Sequence, residues 1–294
     1  MRPPARSCGL LVLLFCCSAL AATPPDAASS LPVRTVRDYL LVAGVTVNGQ
    51  GPFDFVVDTG TNTTLIEPEL AAELALKPVD RLALTSLANS IPVPRYYLDR
   101  FTAGPASVSH LEVLGTPLPQ LRTLDRRIRG VLGMNFLMQF SFRLDYANHR
   151  LELWTIPETA PAPEGLRLRV QINAWRILVP VVSDAAPKGS WRLALDSGIP
   201  QLLVFQDRIR PGAGRCDSSA CMMQVATNLS GYNAETVLLP EVAIAETRLR
   251  NLPVVVLRND QLNQADPQDG LLPASLFRSV FFDRTNGTLV LSTN

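Results

Sequence analysis

Two short triplets in the sequence each combine a carboxylate, a hydroxyl and a glycine. They are Asp58-Thr59-Gly60 and Asp196-Ser197-Gly198, and they stand 138 residues apart. Each aspartate ends an apolar segment, 53–57 in the first case and 191–195 in the second. A carboxylate at the end of a buried strand is costly without a partner, so the two aspartates are expected to be each other's partner. Mutual repulsion would then separate their pKa values, which makes one group a base and the other an acid.

The duplication extends beyond the triplets to the elements that must position them. The apolar segment Gly130-Val131-Leu132-Gly133 follows the first triplet, and Gly270-Leu271-Leu272-Pro273 follows the second at an offset of 140 residues. Hairpin-like segments come next, at 142–153 and 282–291. Three features that repeat at nearly one offset indicate two copies of one structural unit. The spacing is too long for a stacked-repeat protein.

This pattern resembles the aspartic proteases, and most of all bacterial secreted proteases with two retropepsin-like or pepsin-like lobes in one chain. The resemblance covers roughly residue 31 to the end of the sequence. It implies a mainly β fold of two pseudo-symmetric, barrel-like lobes with short helices. It also implies an endopeptidase in which Asp58 and Asp196 activate a water molecule, without a metal or cofactor. A peptide or protein substrate would bind in the cleft between the lobes.

The resemblance also assigns roles to the residues around each aspartate. The hydroxyls of Thr59 and Ser197 are expected to hydrogen-bond across to the other lobe. Gly60 and Gly198 would let the backbone approach closely and donate amides to the carboxylates. The hydroxyl of Thr61 would contact the Asp58 carboxylate. The apolar segments would support the two active loops, and their residues are Val131, Leu132, Gly133, Leu271 and Leu272.

The second half departs from this pattern at three positions. Ile199, Leu202 and Pro273 stand where the first half has Thr61, Thr64 and Gly133. In addition, Pro200 stiffens the second active loop. Two alternatives to a protease therefore stay open. One is an inactive protease-like protein that binds peptides or acts as a scaffold. The other is a chain that completes its site with a second copy, although the second triplet argues against it.

The sequence suggests five segments. Residues 1–21 have the charged, apolar and small-residue regions of a secretory signal peptide, and 22–30 read as a disordered leader. The first lobe is expected at 31–154, a proline-rich linker at 155–165 and the second lobe at 166–294. These features predict export by the Sec route to the periplasm. A lipid anchor is not expected, because the residues preceding Cys17 are not small.

The composition of the chain limits the classes of binding partner that are expected. The net charge is +1 and no basic run occurs, so nucleic acid is not an expected partner. No segment beyond the signal peptide could span a membrane, and a monomer is expected.

Signal cleavage would leave Cys216 and Cys221 as the cysteines of the mature chain, and we predict a disulfide between them. Neither histidine is near them in sequence, which argues against a zinc site.

Local signals predict several elements. Asn48-Gly49 and Asn286-Gly287 favour tight hairpins. Helical spacing of apolar residues predicts a short helix over 67–76, and a helical turn is expected over 134–139. Strict alternation over 166–172 predicts one half-buried strand, and 84–101 is expected to form a flap hairpin.

Overall fold

The structure is a computed structural model that describes residues 29–87, 90–155, 163–214, 222–226, 231–258 and 268–293. Short strands rich in valine, leucine and isoleucine, punctuated by glycine and asparagine turns, make the chain mainly β. The strands of the first half are β1 (Ser29–Val36), β2 (Tyr39–Val47), β3 (Gln50–Val57), β4 (Thr64–Ile66), β5 (Asp80–Thr85), β6 (Ser90–Ala103), β7 (Ala106–Gly115), β8 (Ile128–Leu132), β9 (Ser141–Asp145) and β10 (Arg150–Trp154).

The second half has a similar succession of strands. They are β11 (Leu166–Arg169), β12 (Gln171–Asn173), β13 (Arg176–Val182), β14 (Ser190–Asp196), β15 (Leu202–Phe205), β16 (Met222–Ala226), β17 (Gly231–Ile244), β18 (Thr247–Leu257), β19 (Gly270–Pro273), β20 (Ser279–Asp283) and β21 (Thr288–Ser292). The helices are α1 (Pro68–Glu73), α2 (Pro119–Leu124) and α3 (Met134–Leu137), with 3-10 turns at Gln206–Arg208 and Ala274–Leu276.

The strand pairing around the two triplets is the same. In the first half β3 runs parallel to β8, β8 is antiparallel to β4, and β4 is parallel to β7. In the second half β14 runs parallel to β19, β19 is antiparallel to β15, and β15 is parallel to β18. Each triplet lies where the first of these strands ends, with Asp58 directly after β3 and Asp196 as the last residue of β14. The repeated pairing therefore places each aspartate at the end of a strand that is buried in the middle of a sheet.

Strands from the two halves also join in one sheet. The C-terminal hairpin β20–β21 pairs with the β9–β10 hairpin through β9 and β20, and β10 continues to β1. Phe142 and Phe282, which pair across β9 and β20, have ring centroids 5.6 Å apart. One large apolar cluster includes these rings and buried side chains from both halves. Burial of this apolar surface stabilises the association of the two halves.

The hairpins predicted from the sequence are confirmed. Asn48 and Gly49 form the turn between β2 and β3 with φ angles of 50° and 79°. Gly287, with a φ of 60°, lies in the turn between β20 and β21. The segment 142–153 forms the β9–β10 hairpin, and the expected flap is the β5–β6 hairpin. The helical turn expected over 134–139 is α3.

Three predicted boundaries were wrong. β1 begins at Ser29, inside the segment predicted as a leader, because its first residues pair with β10. The strand predicted over 166–172 is broken at Val170, because β11 pairs with β21 whereas β12 pairs with β13. The helix predicted over 67–76 ends at Glu73, and Ala75 then adopts a left-handed φ of 51°. The lobe boundaries and the linker stay predictions.

Candidate functional site

The two predicted aspartates are buried and are held in the same way. Asp58 is 3% exposed and Asp196 is 6% exposed. The amide of Gly60 donates to Asp58 Oδ1 over 2.8 Å, and the amide of Gly198 donates to Asp196 Oδ1 over 2.7 Å. Each carboxylate therefore lies against the turn of its own triplet, as the sequence pattern predicted.

The second oxygen of each carboxyl group has a different surrounding in the two halves. Thr61 Oγ1 donates to Asp58 Oδ2 over 2.6 Å. The corresponding residue, Ile199, is 7% exposed and belongs to an apolar cluster with Leu203 and Leu271. The Asp58 carboxyl group therefore accepts a hydrogen bond from a hydroxyl, whereas an apolar side chain stands at the corresponding position beside Asp196.

The hydroxyl residues of the triplets connect the two loops through four hydrogen bonds. The amide of Thr59 donates to Ser197 Oγ over 3.0 Å, and the amide of Ser197 donates to Thr59 Oγ1 over 3.0 Å. The Thr59 hydroxyl donates to the Leu195 carbonyl, and the Ser197 hydroxyl donates to the Val57 carbonyl, each over 2.9 Å. Each side chain therefore spans the interface to the other half. This network fixes the two aspartates relative to each other.

The two glycines let the carboxyl groups approach each other. A Cβ atom on Gly60 would collide with the Asp196 carboxyl group. A Cβ atom on Gly198 would lie 2.6 Å from Asp58 Cγ, which is too close for any real contact. The carboxyl groups of Asp58 and Asp196 hydrogen-bond to each other across this gap. The structure therefore brings the predicted pair together within hydrogen-bond reach.

The two carboxyls are not electrostatically equal. Burial raises the pKa of Asp196 well above its usual range, and the charge of Asp58 and the hydrogen bond from carboxyl to carboxyl raise it further. The Gly198 amide and the charge of Arg176 oppose this shift. Asp196 therefore holds the proton that the pair shares, which agrees with the direction that Thr61 and Ile199 imply.

Two tyrosines lie near the carboxyls. Burial, followed by the charges of Asp196 and Asp58, raises the pKa of Tyr39 to about 12. The same causes raise the pKa of Tyr146, whose hydroxyl is buried and has no hydrogen-bond partner among the described residues. Because the pKa of each phenol is raised, both tyrosines are neutral at neutral pH.

The apolar segments support the active loops as expected, with one difference between the halves. Val131 and Leu132 lie in β8, and the Leu132 carbonyl accepts the amide of Asp58 over 3.0 Å. Leu271 and Leu272 lie in β19, which pairs with β14 in the corresponding register. The amide of Gly133 donates to Thr64 Oγ1 over 3.2 Å.

The second half contains neither partner of that last hydrogen bond. Pro273 stands in place of Gly133 and has no amide hydrogen, and Leu202 stands in place of Thr64 and has no hydroxyl. Leu202 is buried in the main apolar cluster. The second half therefore lacks both the amide donor and the hydroxyl acceptor of this hydrogen bond. No buried amide is left without a partner where Pro273 replaces the glycine.

The remaining residues singled out in the sequence lie elsewhere. His149 is exposed in the β9–β10 turn and contacts Thr35, and His110 is exposed and stacks on Tyr97. Cys216 and Cys221 fall outside the described residues, so their disulfide stays a prediction. No group of three or more potential metal ligands, and no helix long and apolar enough to cross a membrane, occurs in the described part of the chain.

Sequence reasoning missed three residues near the pair, which are Tyr39, Tyr146 and Arg176. The pairing of Leu41 with Val56 brings Tyr39 near Asp58, but the register of β2 and β3 is irregular between Val42 and Val47, so the turn at Asn48-Gly49 alone does not place this tyrosine. The other two depend on contacts between distant segments, and no local signal in the sequence indicates them.

Comparisons with known proteins concern the family and the fold of the chain. Residues 43–136 match the family model described as aspartyl protease. The aspartic proteinase from Irpex lacteus is similar in structure, with a TM-score of 0.52, 13% identity, and coverage of 91% of this chain and 98% of that one. Basic 7S globulin from soybean gives a TM-score of 0.51, 12% identity, and coverage of 92% and 96%.

A shorter structure is also similar in part. A retropepsin-like aspartic protease from Rickettsia conorii shows 22% identity over 42% of this chain and 87% of that one, with a TM-score of 0.32. No curated protein gives a significant sequence match. The fold is the mainly β, pepsin-like aspartic-protease fold. Together with the matched family model, it supports an aspartic peptidase.

Proposed function

We propose that the protein is an aspartic endopeptidase in which Asp58 and Asp196 form the catalytic dyad. The observation that carries this proposal is the pair itself: two buried carboxyls, one on each active loop, in a mutual hydrogen bond. Two groups in one site with unequal proton affinity can serve as base and acid in the same reaction.

The reaction follows from this inequality. The ionised carboxylate, Asp58, accepts a proton from a water molecule held between the two groups. The protonated carboxyl, Asp196, donates its proton to the carbonyl oxygen of the peptide bond as the water attacks its carbon. As the resulting tetrahedral diol breaks its C–N bond, Asp58 gives its proton to the leaving amine and Asp196 takes a proton from a diol hydroxyl, which leaves a carboxylic acid. Both carboxyls return to their starting states, and no covalent intermediate forms with the protein.

The β5–β6 hairpin supports a substrate cleft above the dyad. Leu87, at the end of this hairpin, packs against the apolar cluster of the second half that contains Ile199. The hairpin therefore extends from the first half towards the second active loop. A peptide in an extended conformation would lie between the hairpin and the dyad, with its backbone available for strand-like pairing. We further propose that the mature protein acts as a monomer after export to the periplasm.

The dyad is tested by Asp58→Asn and Asp196→Asn. Each substitution keeps the shape of the side chain but removes the group that accepts or donates the proton. Both variants are expected to lose cleavage of a diverse peptide pool, measured by mass spectrometry between pH 3 and pH 7. Asp184→Asn, which changes an exposed carboxylate in the second half, is the matched control and is expected to cleave normally.

The combined variant distinguishes a dyad from two independent contributions. Because the carboxyls act as one unit, the variant with both substitutions is expected to be hardly slower than either single one. Retained cleavage by Asp196→Asn would contradict a catalytic role for the second half. If the folded wild type cleaves nothing in the pool, an inactive peptide-binding or scaffolding protein replaces the enzyme as the explanation of the fold.

A further inference from the structure

Corresponding positions in the two halves carry different residues beside the two aspartates. Tyr39 begins β2 and Arg176 begins β13. Each follows a two-residue turn in which both residues have a positive φ, Arg37 and Asp38 in the first half and Ala174 and Trp175 in the second. The two positions are therefore structurally equivalent, although one holds a phenol and the other a guanidinium.

The strand register places each of these residues next to an aspartate. Leu41 pairs with Val56 and Leu178 pairs with Ala194. Continued by two positions, the antiparallel register brings Tyr39 opposite Asp58 and Arg176 opposite Asp196. Residues directly opposite in such a ladder are within reach of each other.

A second pair of equivalent positions has changed in the same way. Ile128 precedes Gly130 by two residues, and Gln268 precedes Gly270 by two residues. In the first half Tyr39 and Ile128 belong to one apolar cluster. In the second half Arg176 Nη1 donates to Gln268 Oε1 over 2.8 Å, and Gln268 is 1% exposed. An apolar pair in one half thus corresponds to a hydrogen-bonded polar pair in the other.

The position of Gln268 is itself fixed. The next residue, Asp269, accepts the amide of Arg192 over 2.8 Å and donates its own amide to the Arg192 carbonyl over 2.8 Å. Gln268 is therefore held at the edge of β14, the strand that ends in Asp196. A rigid, buried acceptor limits the positions that the Arg176 side chain can adopt.

We propose that Arg176, oriented by Gln268, is a positioning residue that places a fixed positive charge beside Asp196 and shifts the proton equilibria of the whole dyad to lower pH. Among the described residues, the charges that act most strongly on Asp196 are those of Asp58 from the first active loop and Arg176 from β13. The neutral phenols of Tyr39 and Tyr146 face it from β2 and from the end of β9. Arg176 is thus a cation that opposes burial and the charge of Asp58, as its lowering effect on the pKa of Asp196 indicates.

The consequence for cleavage rests on the function proposed above. An aspartic dyad works with one proton shared between two carboxyls, so its activity lies between the two macroscopic pKa values of the pair. A neighbouring cation lowers both values. Arg176→Gln is therefore expected to move both limbs of the pH profile of kcat/KM to higher pH. Arg176→Lys, which keeps the charge, is expected to restore most of the wild-type profile.

Arg167→Gln is the matched control, because it removes the same charge from an exposed position on β11. It is expected to leave the pH profile unchanged. Gln268→Glu serves as an independent variant, since it keeps the side chain's size but offsets the charge of Arg176. It is expected to move the profile in the same direction as Arg176→Gln. Unchanged profiles for both Arg176→Gln and Gln268→Glu would overturn the proposal.

A measurement without substrate separates this inference from the proposed function. The pH dependence of unfolding in urea is compared for Arg176→Gln in the wild-type and Asp196→Asn backgrounds. If Arg176 acts mainly on Asp196, its removal changes the pH dependence strongly in the wild-type background and much less in the Asp196→Asn background. A purely structural role would lower stability equally at every pH in both backgrounds, and that result would overturn the inference. The comparison holds whether or not the protein cleaves peptides.

Discussion

The amide of Gly133 donates a hydrogen bond to the hydroxyl of Thr64, and the second half has lost both groups of this bond together. Considered one at a time, Leu202 and Pro273 are two separate departures from the pattern of the first half. In the structure they form one coupled change, because a proline has no amide hydrogen for the missing hydroxyl to accept. The second half therefore has no unpaired donor or acceptor at this position.

Thr64→Val tests the first half of this relationship. Thr64 Oγ1 accepts the Gly133 amide and donates to Asn135 Oδ1 over 2.8 Å. Valine keeps the shape but leaves the buried amide unpaired, which should cost about 1–3 kcal/mol of the free energy of unfolding in urea. Leu202→Ile, which alters the equivalent buried position without touching a hydrogen bond, should cost less. Equal losses in the two variants would contradict this account.

Much of the site could be predicted from the sequence, because its signals are local. A triplet at the end of an apolar segment predicts a strand followed by a turn, and the tight turn at Asn48-Gly49 predicts that β2 and β3 form a hairpin. The repetition of the triplet then implies the partnership between Asp58 and Asp196. These inferences need only spacing, and the structure has the same arrangement.

The rest depended on contacts that spacing does not encode. Thr64 and Gly133 are 69 residues apart, so their coupling appears only when β4 and β8 are paired. Similarly, β13 and β14 are joined by a seven-residue connection at 183–189 without a two-residue turn signal. Their register, and hence the place of Arg176 beside Asp196, cannot be derived from the residues of the connection alone.

The hydrogen bonds between the active loops should contribute to stability as one network. Thr59→Val removes two of the four bonds, and Ser197→Ala removes the other two. Each variant leaves buried backbone groups unpaired and should lose about 1–3 kcal/mol of the free energy of unfolding. The variant with both changes should lose less than the two single losses combined, because either change already loosens the contact between the loops.

Thr85→Val is the control for this series. Its hydroxyl contacts only Ser90 on the exposed β5–β6 hairpin, among the contacts that the structure describes. Its free energy of unfolding should therefore change by less than about 0.5 kcal/mol. Strict additivity in the loop variants would show that the two halves of the network act independently.

The raised pKa of Asp196 predicts how stability varies with pH. Below the pKa of an unfolded aspartate, about 3.9, Asp196 is protonated in both the folded and the unfolded chain. As pH rises above that value, the unfolded chain releases its proton while the folded protein retains it. The folded state then binds more protons, so the free energy of unfolding falls until pH passes the folded pKa.

Comparison with Asp196→Asn isolates this contribution from the other titrating groups. The difference in urea unfolding free energy between the wild type and this variant should decrease steadily as pH rises from about 4. Asp184→Asn, at an exposed position, should show no such trend relative to the wild type. A difference that grows with pH would mean that Asp196 is ionised preferentially in the folded state, contrary to the burial described here.

The last prediction concerns the unequal surroundings of the two carboxyls. Thr61 donates to Asp58, whereas Ile199 at the equivalent position offers Asp196 no donor. In Ile199→Thr a hydroxyl would stand where it can donate to Asp196, which favours the ionised carboxylate and lowers its pKa. Ile199→Val is the matched control, because valine has the same shape as threonine without the hydroxyl.

Relative to the valine variant, the threonine variant should lose kcat/KM at lower pH on the alkaline side. Its stability should also fall less steeply between pH 4 and neutrality, which can be measured without a substrate. Coincident pH profiles and coincident stability curves for the two variants would show that the missing hydroxyl does not determine the proton affinity of Asp196. Burial and the charge of Asp58 would then account for the asymmetry without it.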